Sequence, residues 1–99
     1  MEGLYIRLES EGSFLVLRLT GTLDGRTARA VTEALQDVPP LPLIVDFSQV
    51  RTFVDLSVDA LTRALRNRPV SFRGLGRHQA RMFRYFGLFT EEREQTVEA

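Results

Sequence analysis

His78 is the one imidazole in this chain of 99 residues. It is also the one side chain whose ordinary pKa suits general-base work near neutral pH. A nucleophilic triad would need a serine activated by that imidazole and an acid to orient it. Serines and aspartates are present in the chain. No nucleophile elbow accompanies them, and His78 stands between Arg77 and Gln79 at the expected exposed start of a helix, so catalysis is not expected. Gly74-Leu75-Gly76 is too short for a dinucleotide fingerprint and reads as a strand-to-helix turn.

The remaining chemistry lies in short oxygen-bearing side chains beside helix starts. Asp24 and Asp55 each precede an apolar pattern of helical spacing, where a carboxylate can accept from the free N–H groups of the first turn. Ser57 falls in the first turn of the second of these helices. From its position alone it reads as an exposed or capping hydroxyl.

Composition removes most other reactions. The chain has no Cys, hence no thiol nucleophile, disulfide or cysteine-held metal. All 13 of its basic residues are Arg, so there is no lysine for a Schiff base or a phosphate loop. One His precludes a two-histidine metal site within one copy. No metal and no cofactor are expected. No apolar run approaches the roughly 20 residues of a membrane span. Met1-Glu2-Gly3 leads into a strand-like pattern rather than a signal peptide, which predicts a cytoplasmic protein.

The net charge is zero but uneven along the chain. Residues 1–50 carry four Arg against seven acids, residues 51–90 eight Arg against Asp55 and Asp59, and residues 91–99 one Arg against four Glu. The basic stretch is either a docking face for an acidic partner or phosphate, or a solvated surface paired with the acidic tail. Phe83, Tyr85 and Phe86 beside Arg81 and Arg84 could stack on nucleic acid, but phenylalanines at helical spacing read as core, and no nucleic acid is expected.

These residues must be positioned by seven elements. Leu4–Glu9 and Phe14–Thr20 alternate with period two around Ser10-Glu11-Gly12-Ser13, a hairpin, and Gly21 is expected to break the second strand. Ala28, Val31, Ala34, Leu35 and Val38 predict a helix over 26–37, ended by Pro39-Pro40. Leu43–Phe47 reads as a buried parallel strand, reached by a right-handed crossover, with a polar loop after it. Leu56, Ala60, Leu61, Ala64 and Leu65 mark the apolar face of a second helix. A fourth strand is expected over 70–75 and a third helix over 77–86 with Gly87 as its stop. Residues 91–98 read as a weak helix or frayed tail. The order ββαβαβα predicts one α/β domain spanning 1–99, with a small mixed sheet and helices mainly on one face.

Three segments in this order resemble the STAS domain family of sulfate transporters and anti-sigma factor antagonists. They are Leu17–Asp24, Leu43–Asp55, which is similar to the family's "vvlDlsgv-x-f-i-D" pattern, and Arg84–Phe89 with its Gly87-Leu88. The resemblance covers residues 4–90 and implies the same mixed sheet. It also implies a regulatory Ser or Thr directly after the aspartate, in a "D-S-S-G-L" segment. Here the segment is Asp55-Leu56-Ser57-Val58-Asp59, so Leu56 stands at the acceptor position and Val58 replaces the glycine. Ser57 matches the second Ser, a displaced acceptor whose phosphate the helix dipole would tolerate and which would repel an acidic partner. The resemblance therefore implies a non-enzymatic docking module without the usual phospho-switch. Its partner would be a kinase-type anti-sigma factor or another ATPase, met through Asp24, Thr52, Phe53, Asp55, Leu56 and Ser57. The alternative is a small scaffold subunit of a lipid-transport ABC complex or a stress-signalling assembly.

Overall fold

Residues 3–88 are described by a computed structural model. The chain opens with the expected hairpin. Strand β1 (Leu4–Glu11) pairs antiparallel with β2 (Phe14–Leu23), from Leu4 opposite Gly21 to Glu11 opposite Phe14. The turn between them uses Gly12 at φ +64°, a backbone region that glycine enters without steric cost. Helix α1 (Gly25–Leu35) leads to β3 (Leu43–Phe53), which lies parallel to β2. Helix α2 (Leu56–Leu65) then leads to β4 (Val70–Arg73), parallel to β3, and α3 (Arg77–Tyr85) follows. The result is a mixed four-stranded sheet in the order β1-β2-β3-β4, in the ββαβαβα sequence expected.

Alternation along β2 and β3 sends Leu17, Leu19, Leu23, Leu43, Val45 and Phe47 into one buried cluster. Ala28, Val31 and Leu35 of α1, Val58, Leu61 and Leu65 of α2, and Phe83 of α3 complete it. All three helices therefore cover the same face of the sheet. The other face carries an ion-pair lattice. Arg18 meets Glu9 at 2.9 Å and also the carboxylate of Asp46, and Arg73 meets Glu11 at 3.1 Å.

Several strand ends differ from the sequence expectation. β2 does not stop at Gly21 but continues to Leu23. Gly21 takes φ +117°, and a Cβ there would sit 2.3 Å from the Gly3 carbonyl oxygen, so this glycine admits a close backbone approach within the strand. β3 runs six residues beyond Phe47. Its pairing with β2 shifts register twice, after Asp46 and again after Val50. Each shift inserts an extra β3 residue and switches which side chains face the core. Phe47, Val50 and Phe53 thereby reach the core side at a spacing of three, so period-two reading lost the strand after Phe47. β4 is shorter than expected and ends at Arg73. Gly74 follows at φ +74°, where a Cβ would lie 2.7 Å from the Ser48 backbone.

The helix boundaries agree closely with the sequence reading, but one face does not. The buried side of α2 is Ser57, Val58, Leu61, Thr62 and Leu65, and Leu56 points to solvent instead of belonging to the apolar stripe. Gly87 at φ +96° ends the α3 segment as anticipated. The expected helix or tail over 91–98 lies outside the described residues.

Candidate functional site

Parallel pairing brings the carboxyl ends of β2 and β3 side by side, with Leu23 opposite Phe53 and the Val54 N–H donating to the Leu23 carbonyl at 2.8 Å. The two loops that leave these strands are therefore neighbours. One carries Asp24 into α1, and the other carries Val54 and Asp55 into α2.

Asp24 does what its position predicts. Its backbone is extended and its Oδ1 accepts from the Thr27 N–H at 3.0 Å, while Thr27 Oγ1 accepts from the Asp24 N–H at 2.8 Å, a reciprocal capping box. The Thr27 N–H holds the Asp24 carboxyl below the usual carboxylate range, because it stabilises the charged form. Thr27 is buried, and its hydroxyl also reaches the Thr22 carbonyl at 2.9 Å, which ties the cap to the end of β2.

Asp55 does not cap α2. Its φ and ψ of −55° and −33° are already helical, so its side chain projects away from the first-turn N–H groups and makes no capping bond. Carbonyls upstream close that turn instead, with the Ser57 N–H donating to Val54 at 2.9 Å and the Val58 N–H to Asp55 at 3.0 Å. The freed carboxylate meets His78, whose Nε2 lies 3.2 and 3.3 Å from its two oxygens. This contact links the first turn of α3 to the start of α2, and it becomes an ion pair when the imidazole is protonated.

Ser57 also departs from the expected exposed or capping hydroxyl. It is fully buried, and its hydroxyl donates to the Val54 carbonyl at 2.7 Å. That geometry withholds it from His78 as a nucleophile. Leu56 and Val54 present the opposite case: they are 74% and 39% exposed at the outer edge of the loop. Thr52 is exposed, whereas Phe53 is half-buried and stacks on Phe47 with ring centroids 5.4 Å apart. Phe72 and Phe83 join this group, their centroids 4.7 Å apart. Phe83 thus locks α3 against the end of β3 and holds His78 beside the loop.

Of the six residues expected from sequence, Asp24, Thr52, Asp55 and Leu56 remain accessible in or beside the two neighbouring loops, while Phe53 and Ser57 turn inward. Val54 is exposed in the same loop, and His78 reaches it through Asp55. Val54 lay within the expected loop; nothing local in the sequence signals His78, because its place depends on α3 packing across the sheet. Among the described residues no group of three or more His, Cys, Asp or Glu side chains could hold a metal ion. No helix among them is long and apolar enough to cross a membrane.

This architecture, a mixed four-stranded sheet with three helices in the order ββαβαβα, is that of a STAS domain. A family model described as "Mlab, STAS domain" matches residues 6–90, and the chain belongs to that family. Among solved structures it is similar to an anti-sigma factor antagonist from Mycobacterium paratuberculosis, with 21% identity, 91% of this chain and 88% of that one covered, and a TM-score of 0.63. It is also similar to the anti-sigma factor antagonist SpoIIAA in its unphosphorylated form, with 17% identity, 92% and 91% covered, and a TM-score of 0.64. A structure described as Mglu matches 72% of this chain but only 20% of its own length, at 22% identity and a TM-score of 0.63. No curated protein sequence matches the chain.

Proposed function

We propose that this chain is a non-enzymatic protein-docking module that acts as one domain in the manner of an anti-sigma factor antagonist. Its contact surface is the loop edge of Val54 and Leu56, flanked by Asp24, Thr52 and Asp55. The observation that carries the reading is Leu56, a large apolar side chain 74% exposed at the first residue of α2. An isolated exposed leucine needs no explanation, but this one stands where the family's acceptor hydroxyl stands. Burying it against a partner would contribute about 1.5–3 kcal/mol. A phosphate cannot be added to it, and Ser57, the neighbouring hydroxyl, is buried and already donated. Docking is then constitutive, or its switch lies in the partner. The partner class favoured by the similarity to anti-sigma factor antagonists is a kinase-type anti-sigma factor or a related ATPase, met in the cytoplasm.

A second reading is a permanent scaffold subunit of a lipid-transport ABC complex or a stress-signalling assembly. The same exposed Leu56 supports it, since a position without a hydroxyl suits an interface that is never released by phosphate. Affinity capture with wild type and Leu56→Glu in parallel, followed by mass-spectrometric identification, separates the readings. A histidine-kinase-like ATPase lost from the variant supports the first, and an ABC ATPase lost from it supports the second. Equal capture of every protein by both forms would remove this loop from the interface.

A further inference from the structure

The solvent side of α3 is a second surface that the docking loop does not use. Arg77, Arg81 and Arg84 are all exposed and stand at i, i+4 and i+7. At 3.6 residues per turn they fall within an arc of about 60° and extend about 10 Å along the axis. Tyr85, 85% exposed, flanks the same stripe and packs its edge on Phe86, with ring centroids 5.5 Å apart. The helix contains no acidic residue. Among the described residues neither Arg77 nor Arg81 forms an ion pair, and Asp55, which meets the first turn of the helix, is engaged by His78. Arg63 on α2, by contrast, is matched by Asp59 at 2.7 Å.

We infer that this stripe binds an acidic segment of a protein partner, a helix or strand carrying carboxylates at matching intervals. Three observations select that occupant over other polyanions. The chain as a whole has zero net charge, so it lacks the broad positive field that draws proteins to nucleic acid. The apolar side of α3 is committed to the core through buried Phe83 and half-buried Met82, which leaves no apolar stripe to enter a lipid interface. The cations are all arginines, whose planar forks engage carboxylates in pairs, and a rigid tyrosine stands beside them; these two residue types are enriched where proteins bind proteins. The inference stands apart from the docking reading of Leu56, because the two surfaces share no residue.

Fluorescence anisotropy with a labelled alanine-glutamate helical peptide, its glutamates spaced alternately by three and four residues, tests the inference. Phosphatidylglycerol vesicles and single-stranded oligothymidine serve as competing probes. The full chain should bind the peptide, more weakly as salt is raised. The double substitution Arg77→Glu and Arg81→Glu should weaken binding by about tenfold or more, and the glutamine pair should weaken it less. Leu56→Glu should leave it unchanged. Circular dichroism should report a native fold for every variant, since the altered side chains are exposed. Tighter binding of vesicles or DNA than of peptide would overturn the inference. So would absence of peptide binding, or binding indifferent to the arginine substitutions. Binding that emerges only after Glu91, Glu94 and Glu98 are replaced by glutamine would assign the stripe to the chain's own acidic segment and overturn it as well.

Discussion

The two broad sides of this molecule handle charge in opposite ways. On the uncovered face of the sheet, Arg18 and Arg73 are shared among Glu9, Glu11 and Asp46. The Arg73 guanidinium holds the Glu11 carboxyl below its usual range, and the Glu9 carboxylate raises the Arg18 guanidinium above its own. That face answers its own charges. At the helix-covered end, Leu56 and Val54 lie bare and Arg77 and Arg81 have no ion-pair partner among the described residues. Surfaces with internally satisfied groups have little to gain from a partner, whereas unmatched arginines and bare leucines do. The loop proposed to dock a partner carries the bare residues of this end, and the unmatched arginines stand on α3 beside it.

The sharpest way to break this contrast is to detach α3. Phe83 is fully buried and joins α3 to Phe47, Phe53 and Phe72. Phe83→Ala should cost about 3–5 kcal/mol. Urea unfolding should show it, with loss of protection at His78 and through α3 in hydrogen exchange. A smaller loss would mean that α3 is held by something other than this cluster.

Asp46 probes the opposite face. It is 3% exposed, and its carboxylate accepts from the Ser48 N–H at 2.9 Å and the Ser48 hydroxyl at 2.6 Å as well as from Arg18. Asp46→Ala leaves the bulge of β3 without these bonds and should cost about 2–3 kcal/mol. Partner binding by the folded variant should be unaltered, since Asp46 lies on the face opposite the helices and outside the proposed docking loop. A variant that keeps its stability but loses its partner would invert the comparison.

Asp24 gives a smaller effect with a defined pH window. Its folded pKa is depressed, so its contribution is fully present above the ordinary value of 3.8 and is lost as pH falls through the lower folded value. Asn can also cap a helix but does not titrate. The stability difference between wild type and Asp24→Asn should therefore be flat above about pH 5 and shrink as the solution is acidified below about pH 4. A difference that grows on acidification would contradict the cap geometry.

Much of this arrangement was legible in the sequence, and the parts that were not share one cause. Period-two alternation found the hairpin, and helical spacing found α1, α2 and α3. The cap at Asp24 follows from residue type alone, because every partner lies within three residues. Asp55 has the same type and the same position before a helix, yet its carboxylate turns to His78, 23 residues away. The hydroxyl of Ser57 has a local partner in the Val54 carbonyl, but its burial is set by the packing of α2, which turns that side of the helix toward the core. The extension of β3 was hidden because two bulges break the alternation from which strands are read. Local chemistry is visible in sequence, and choices settled by tertiary neighbours are not.

Leu56→Glu tests the central claim most directly, because it places a charge on the bare end while leaving the core untouched. At 74% exposure the new carboxylate stays in water, so unfolding free energy should change by no more than about 0.5 kcal/mol. The account predicts a variant with the circular dichroism and urea midpoint of wild type that no longer captures its partner in a binding assay. A variant with native structure and undiminished capture would contradict it, and the loop between β3 and α2 would then not be the docking surface.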